Sequence, residues 1–163
     1  VCFQVEDTKF KVHRHFLMRD SVYFQELFAG PLGEFGRSES EAIPLESVGS
    51  KEFECLLDFF YNGMYDNEAL SLKDWTTLLA ISTRLQFPRV RAHAIRAIDA
   101  SPVPLDPVEQ LVLAAAYDVP AWRVPAYAAL CRRPACLTED EAERLGLRAT
   151  VRIARVREAF RDE

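Results

Sequence analysis

Glycine-rich phosphate loops are missing from this sequence. Neither GxxxxGK[ST] nor GxGxxG occurs, which excludes nucleotide binding by those devices at motif level. There is no G-x-S-x-G elbow to expose a nucleophilic serine. The four cysteines, Cys2, Cys55, Cys131 and Cys136, contain no C-x-x-C pair. His13, His15 and His93 have no metal-ligand spacing, so a zinc site has no pattern to stand on. No apolar run approaches the roughly 18–20 residues that span a bilayer, and no secretory leader pattern is present. No repeat of solenoid length occurs. The expectation is a non-enzymatic chain with no catalytic residue, metal, cofactor, small-molecule substrate or membrane contact.

What is present is ordinary for a folded protein. Of 163 residues, 49% are hydrophobic and 28% charged, a balance that a disordered chain does not have. The net charge of −5 argues against a nucleic-acid partner engaging the whole surface. The cysteines read as reduced thiols of an intracellular protein, in cytoplasm or nucleus.

The periodicity begins as sheet and turns to helix. Residues 1–6 alternate, Asp7-Thr8 reads as a turn, and Phe10 and Val12 alternate again opposite Lys9, Lys11 and His13, so a hairpin is expected. From Leu17 the spacing becomes helical, and Asp20-Ser21 supplies a cap between a short helix and a second one carrying Val22, Phe24, Leu27 and Phe28. Residues 29–38 are rich in Gly and Ser and read as an exposed loop. Ile43 to Leu45, broken by Pro44, reads as an edge strand. Ser50 is expected to cap a helix whose buried face is Phe53, Leu56, Leu57, Phe60 and Tyr61, ended by Asn62-Gly63. Ser71 with Asp74 opens the next helix, with Trp75, Leu78, Leu79 and Ser82 on one face. After Pro88 a further helix turns Val90, Ala94, Ala97 and Ile98 inward.

The spacing F-x-V-H-x-x-x-L-x-x-x-S-x-x-F-x-x-x-F, carried by Phe10, Val12, His13, Leu17, Ser21, Phe24 and Phe28, resembles the signature that opens the BTB/POZ domain. The segment FxxLLxFFYNGxY resembles the family's third helix and the turn that ends it. The implied architecture is α+β: a small BTB/POZ-like sheet flanked by helices over residues 1–100, with an all-helical extension over 101–163. The prolines of Ala100–Pro104 mark the boundary.

In the extension, Asp106-Pro107-Val108-Glu109 starts a helix whose face continues through Leu111, Val112 and Ala115. The next helix is expected from Pro125 to Cys131. Thr138 and Glu141 form a capping box closed by Gly146. Ala149, Ile153, Val156 and Phe160 make the seam of the last helix. Its arginines, Arg148, Arg152, Arg155, Arg157 and Arg161, read as a solvated face with intrahelical ion pairs rather than a nucleic-acid face. The pattern L-x-x-AxxYDVPxWxxPAYxxLCRR followed by LTxxEAxxLG resembles the helical extension of BTB proteins expanded in basidiomycete fungi.

The residues left over point to partners. Phe16, Met18 and Tyr23 do not fit one inward face together with Leu17, Phe24 and Phe28, which marks them as contacts. By resemblance, the first helices form a homodimer. The loop residues Leu32, Glu34 and Phe35 fall where adaptors that bind a cullin ubiquitin-ligase scaffold carry a hydrophobic-x-Glu motif. The alternative implied by the family is a transcription-linked scaffold that recruits a corepressor through the dimer. His13 reads as a structural histidine whose ring bonds backbone at the corner.

Overall fold

The computed structural model describes residues 1–63 and 70–161, with the side chains of Gly63, Phe160 and Arg161 outside that description. Tyr65 of the FxxLLxFFYNGxY segment therefore lies outside the described residues. Contacts divide the chain into two compact units, Val1–Val103 and Pro104–Glu163.

The first unit is built on a small sheet of order β2-β1-β3. Strand β1 (Cys2–Val5) is central and buries Cys2, Phe3 and Val5. It pairs antiparallel with β2 (Thr8–Lys11), Phe3 opposite Phe10 and Val5 opposite Thr8. That register places the turn at Glu6-Asp7, one residue before the Asp7-Thr8 turn the alternation suggests, and Glu6 has φ +52°. A two-residue hairpin turn needs such a conformation, because its twist then matches that of the strands. Strand β3 (Ile43–Pro44) lies parallel on the other side of β1, at the edge where Pro44 need not donate.

The parallel pairing requires a crossover, and helices fill it. Helix α1 (Arg14–Asp20) ends where Ser21 begins α2 (Val22–Ala29). The Ser21 hydroxyl accepts the Phe24 N–H at 3.1 Å and donates to the Leu85 carbonyl at 2.7 Å. A buried hydroxyl is thus satisfied in both directions, as burial demands. The stretch read as a plain loop after α2 contains two short 3-10 turns, Pro31–Glu34 and Glu39–Glu41.

Helix α3 (Ser50–Asp58) is capped one residue earlier than its sequence suggests. The Glu52 carboxylate accepts the Gly49 N–H at 3.1 Å, while Ser50 gives its N–H and hydroxyl to Glu6. Those two bonds hold the Glu6 carboxyl below its ordinary range. The end of α3 also differs. Residues Phe59–Gly63 form a π turn, which adds a residue to the helical repeat and rotates the side chains beyond it. Phe59 and Phe60 are buried as a result, and Tyr61, expected inside, is 41% exposed.

Helices α4 (Leu72–Arg84) and α5 (Pro88–Asp99) pack together and complete the unit. The Ser71–Asp74 box caps α4, and Trp75, Leu78, Leu79 and Ser82 are all buried. Rings fill the centre: Phe3 meets Phe24, Phe28 and Phe53 with centroids 5.5, 6.1 and 6.0 Å apart, and Phe87 meets Phe24 and Phe60. Edge contacts of this kind add about 0.5–1.5 kcal/mol each beyond area burial.

The second unit is helical throughout its described elements: α6 (Pro107–Ala116), α7 (Arg123–Arg132), α8 (Glu139–Leu145) and α9 (Leu147–Arg161). Asp106 caps α6 by accepting two N–H groups, and Ala115 faces out while Leu113 and Ala114 are buried. Helix α7 starts two residues before Pro125, which is tolerated because N–H groups of the first turn have no helical partner. Val108, Leu111, Ala126, Leu130 and Ile153 form the core. In α9 only part of the expected seam is inside, since Val156 is exposed. Arg157 is not a solvated arginine: it donates to the carbonyls of Leu130, Pro134 and Ala135, closing the end of α7. No ion pair joins two described residues of α9. The pairs of this unit lie elsewhere: Arg123 to Asp118, Arg133 to Glu141 and Arg144 to Glu109.

Candidate functional site

The strand-to-helix corner brings His13, Phe16 and Tyr61 together. Tyr61 Oη accepts the His13 backbone N–H at 3.1 Å and shares a 2.7 Å hydrogen bond with His13 Nδ1. The ring of His13 therefore bonds a phenol, whereas a backbone partner was expected. The π turn supplies that phenol: by turning Tyr61 outward it places the hydroxyl over the N-terminus of α1. Phe16 stacks on Phe60 at 6.1 Å, with Tyr61 edge-on at 5.1 Å, so it is half-buried by its own unit and keeps an outer edge. Met18 is 37% exposed, and Tyr23 is half-buried against Phe24. Leu17, Ser21, Phe24 and Phe28 are all buried, so the signature splits into a core set and the exposed His13.

Arg14, which no sequence pattern singled out, joins this corner to the loop after α2. Its guanidinium lies 4.1 Å over the Phe28 ring and donates to the carbonyls of Phe28 and Gly33 at 3.3 and 3.4 Å. Though exposed, this cation on a ring face with two carbonyl partners serves as a post for the turn. Gly33 is required there, because a Cβ would come within 2.1 Å of the Phe28 carbonyl oxygen. Above this support Leu32 is 42% and Phe35 51% exposed, with Glu34 exposed beside them. The turn thus points two large apolar side chains toward water.

A second feature escaped the sequence. A groove of about 640 Å³ runs beside α1 and α5, lined by Arg19, Asp20, Phe60, Arg89, Val90 and His93 among others. Asp20 accepts from Arg19 at 2.7 Å and Arg89 at 3.2 Å. Burial, and Arg96 after it, push the His93 pKa down. Only the position of Asp20 as a cap was legible, since residues 19–20 and 89–96 are far apart in the chain.

Burial, with Asp74 and Asp58 nearby, pushes the Cys55 thiol up to about 11, and its Sγ faces the Asp74 carbonyl at 3.8 Å. A thiol of that pKa is a poor nucleophile at neutral pH. All four cysteines are free. Among the described residues no group of three His, Cys, Asp or Glu could hold a metal, and no helix is long and apolar enough to cross a membrane.

Kelch-like protein 21 of Homo sapiens is 38% identical over 82 residues, covering 50% of this chain and 13% of that protein. The Mus musculus protein of the same name matches to the same extent. Hypermethylated in cancer 2 protein of Mus musculus is 27% identical over 108 residues, covering 66% of this chain and 16% of its own length. The chain thus spans a small part of these relatives. The family model described as BTB/POZ domain matches residues 1–101, the whole of the sheet and the helices around it, and the chain belongs to that family.

Proposed function

We propose that this chain pairs with a second copy of itself through α1 and α2 and presents the Leu32–Phe35 turn to a cullin, as an adaptor between that scaffold and a ubiquitylation substrate. A BTB/POZ domain is a protein-interaction domain and not a catalytic one. The observation that carries the adaptor reading is the supported turn, with Leu32 and Phe35 exposed over the Arg14 post. An apolar side chain on a rigid turn loses little freedom on binding, so more of its burial appears as affinity. Glu34 at the rim suits a basic or N–H donor on the partner. For pairing, Phe16, Met18 and Tyr23 offer partly exposed apolar area on α1 and α2.

The test is calorimetric titration against the N-terminal region of the organism's own cullin. Wild type binds at micromolar affinity or better, and Leu32→Asp loses at least tenfold, about 1.4 kcal/mol. Absence of wild-type binding overturns the adaptor reading. Pairing is tested by light scattering: Phe16→Asp lowers the dimer fraction, since burying an unpaired carboxylate is costly, while its circular dichroism stays that of wild type. A wild type that is monomeric at micromolar concentration overturns the pairing.

The groove beside α1 and α5 favours a second reading, a transcription-linked scaffold that takes a corepressor segment there. Arg89→Glu would then abolish that contact and leave cullin binding unchanged. The likeness of residues 111–146 to the extension expanded in basidiomycete fungi supports reading this as a fungal member acting in cytoplasm or nucleus.

A further inference from the structure

The second unit, all of which lies outside the residues matched to the family, carries a groove of its own. It runs between α7 and α9, has a volume of about 540 Å³, and has Tyr127, Ala128, Cys131 and Val156 as its floor. Arg132, Arg152 and Arg155 form the rim, and no acidic residue is among the described residues that line it. These three arginines are exposed, and none pairs with another described residue. Three unpaired cations around an apolar trough are out of keeping with a chain of net charge −5. Like charges crowded on adjacent turns repel, so the arrangement costs stability unless an anionic partner relieves it.

We infer that this groove is a docking site for an acidic amphipathic helix of another protein. Two bulky apolar side chains of that helix rest on the Tyr127–Cys131–Val156 floor, and carboxylates flanking them pair with Arg132, Arg152 and Arg155. Bidentate guanidinium–carboxylate geometry favours arginine in this role. The lined stretches, residues 127–132 and 152–156, each run for less than about two helical turns, which suits an i, i+3 or i, i+4 pair. A helix also satisfies its own backbone, whereas an extended segment would leave N–H and C=O groups facing the apolar floor with no strand edge to bond.

Two other occupants fit less well. A nucleic acid would meet the arginines through phosphates and leave the apolar floor uncovered. A second copy of this chain has one acidic helix in its second unit, α8, but the Leu145 of that helix already packs against its own core.

The test selects 16-residue peptides from a naive display library on the immobilised full chain, with the Arg152→Glu/Arg155→Glu double variant as the counter-target. The best peptide is labelled with fluorescein and titrated. The proposal expects survivors that flank two bulky apolar residues, three or four apart, with Asp or Glu. Their affinity should fall at least tenfold in the double variant and also in Val156→Lys, which keeps every rim arginine but spoils the floor. Arg148→Glu, on α9 but outside the lining, should stay within twofold. Circular dichroism confirms that each variant is folded. The proposal is overturned if no peptide survives, if survivors lack the acidic flanks, or if the double variant binds them unchanged. It is equally overturned if the double variant instead loses binding to a duplex oligonucleotide, or loses a self-association seen in wild type.

Discussion

In residues 1–103 the centre is made of rings, with Phe3, Phe24, Phe53 and Phe87 fully buried, whereas residues 104–161 close over the aliphatic cluster Val108, Leu111, Ala126, Leu130 and Ile153, with Tyr127 against it and Trp122 the one buried ring among the described residues there. The second unit makes up the difference with guanidinium groups. Arg157 collects three carbonyls at the end of α7, and Arg133 holds Glu141 bidentate at 2.7 and 2.6 Å. Large rings remove much area from water per residue and are indifferent to pH and salt. Charged hydrogen bonds fix geometry at little cost in volume, but they respond to both. The difference teaches where each unit should be vulnerable, and Trp75 and Trp122, one in each unit, allow the two to be followed separately by fluorescence when the other tryptophan is replaced by phenylalanine.

Phe24→Ala should strike hardest. The ring touches Phe3, Phe28 and Phe87, and a buried Phe-to-Ala change costs about 3–5 kcal/mol. Urea unfolding followed through Trp75 should shift by that amount; a shift under 1 kcal/mol, on the order of a surface change, would mean the ring cluster does not dominate. Leu130→Ala is the counterpart in the second unit, with an expected loss of about 2–3 kcal/mol read through Trp122, because a small core collapses more readily around a missing side chain. A Leu130 loss larger than the Phe24 loss would reverse the ranking of the two cores. Ser21→Ala removes a cap and strands a buried carbonyl at Leu85, for about 1–2 kcal/mol. If Ser21→Gly is as well tolerated as wild type, the hydroxyl is not what holds the two helices.

The smallest effect is a pH window. The Arg133 guanidinium, then the Thr138 N–H, hold the Glu141 carboxyl down to about 2 from an ordinary 4.5. A carboxyl depressed in the folded state stabilises above its unfolded pKa, and that contribution drains away as pH falls from about 4.5 toward 2. Acid titration followed through Trp122 should therefore be steeper for wild type than for Glu141→Gln over this range. Curves of equal slope would show the pair to be electrostatically idle.

Much of the fold was legible where the chemistry is local. The caps at Ser21, Ser71, Asp106 and Thr138 each need only a side chain two or three residues from the N–H it serves, and all four are made. Phase was harder. Nothing in Phe59–Gly63 announces a π turn, so a face that starts at Phe53 and should include Tyr61 is carried past it. Arg157 was unreadable for another reason: its carbonyl partners lie more than twenty residues away, and in sequence it is one more arginine in a row of them. The candidate site divides in the same way. The signature from Phe10 to Phe28 is a local pattern, and the exposure of Leu32 follows from its Gly and Pro neighbours. Arg14 and Arg89 gain their roles only when separate segments meet.

The Ser21–Leu85 bond also sets an order of assembly. It joins positions 64 residues apart, so a chain made from its N-terminus has α1 and α2 in hand well before the carbonyl that anchors them exists. At roughly 5–20 residues per second of synthesis, that interval is about 3–13 s. During it Phe24 has Phe3 of β1 to lie against but still lacks Phe87. Helices α1 and α2 are thus fixed only after α4 has been made, and a nascent polypeptide meets its chaperones, and any neighbouring copy on the same message, with an aromatic-rich segment not yet fully covered.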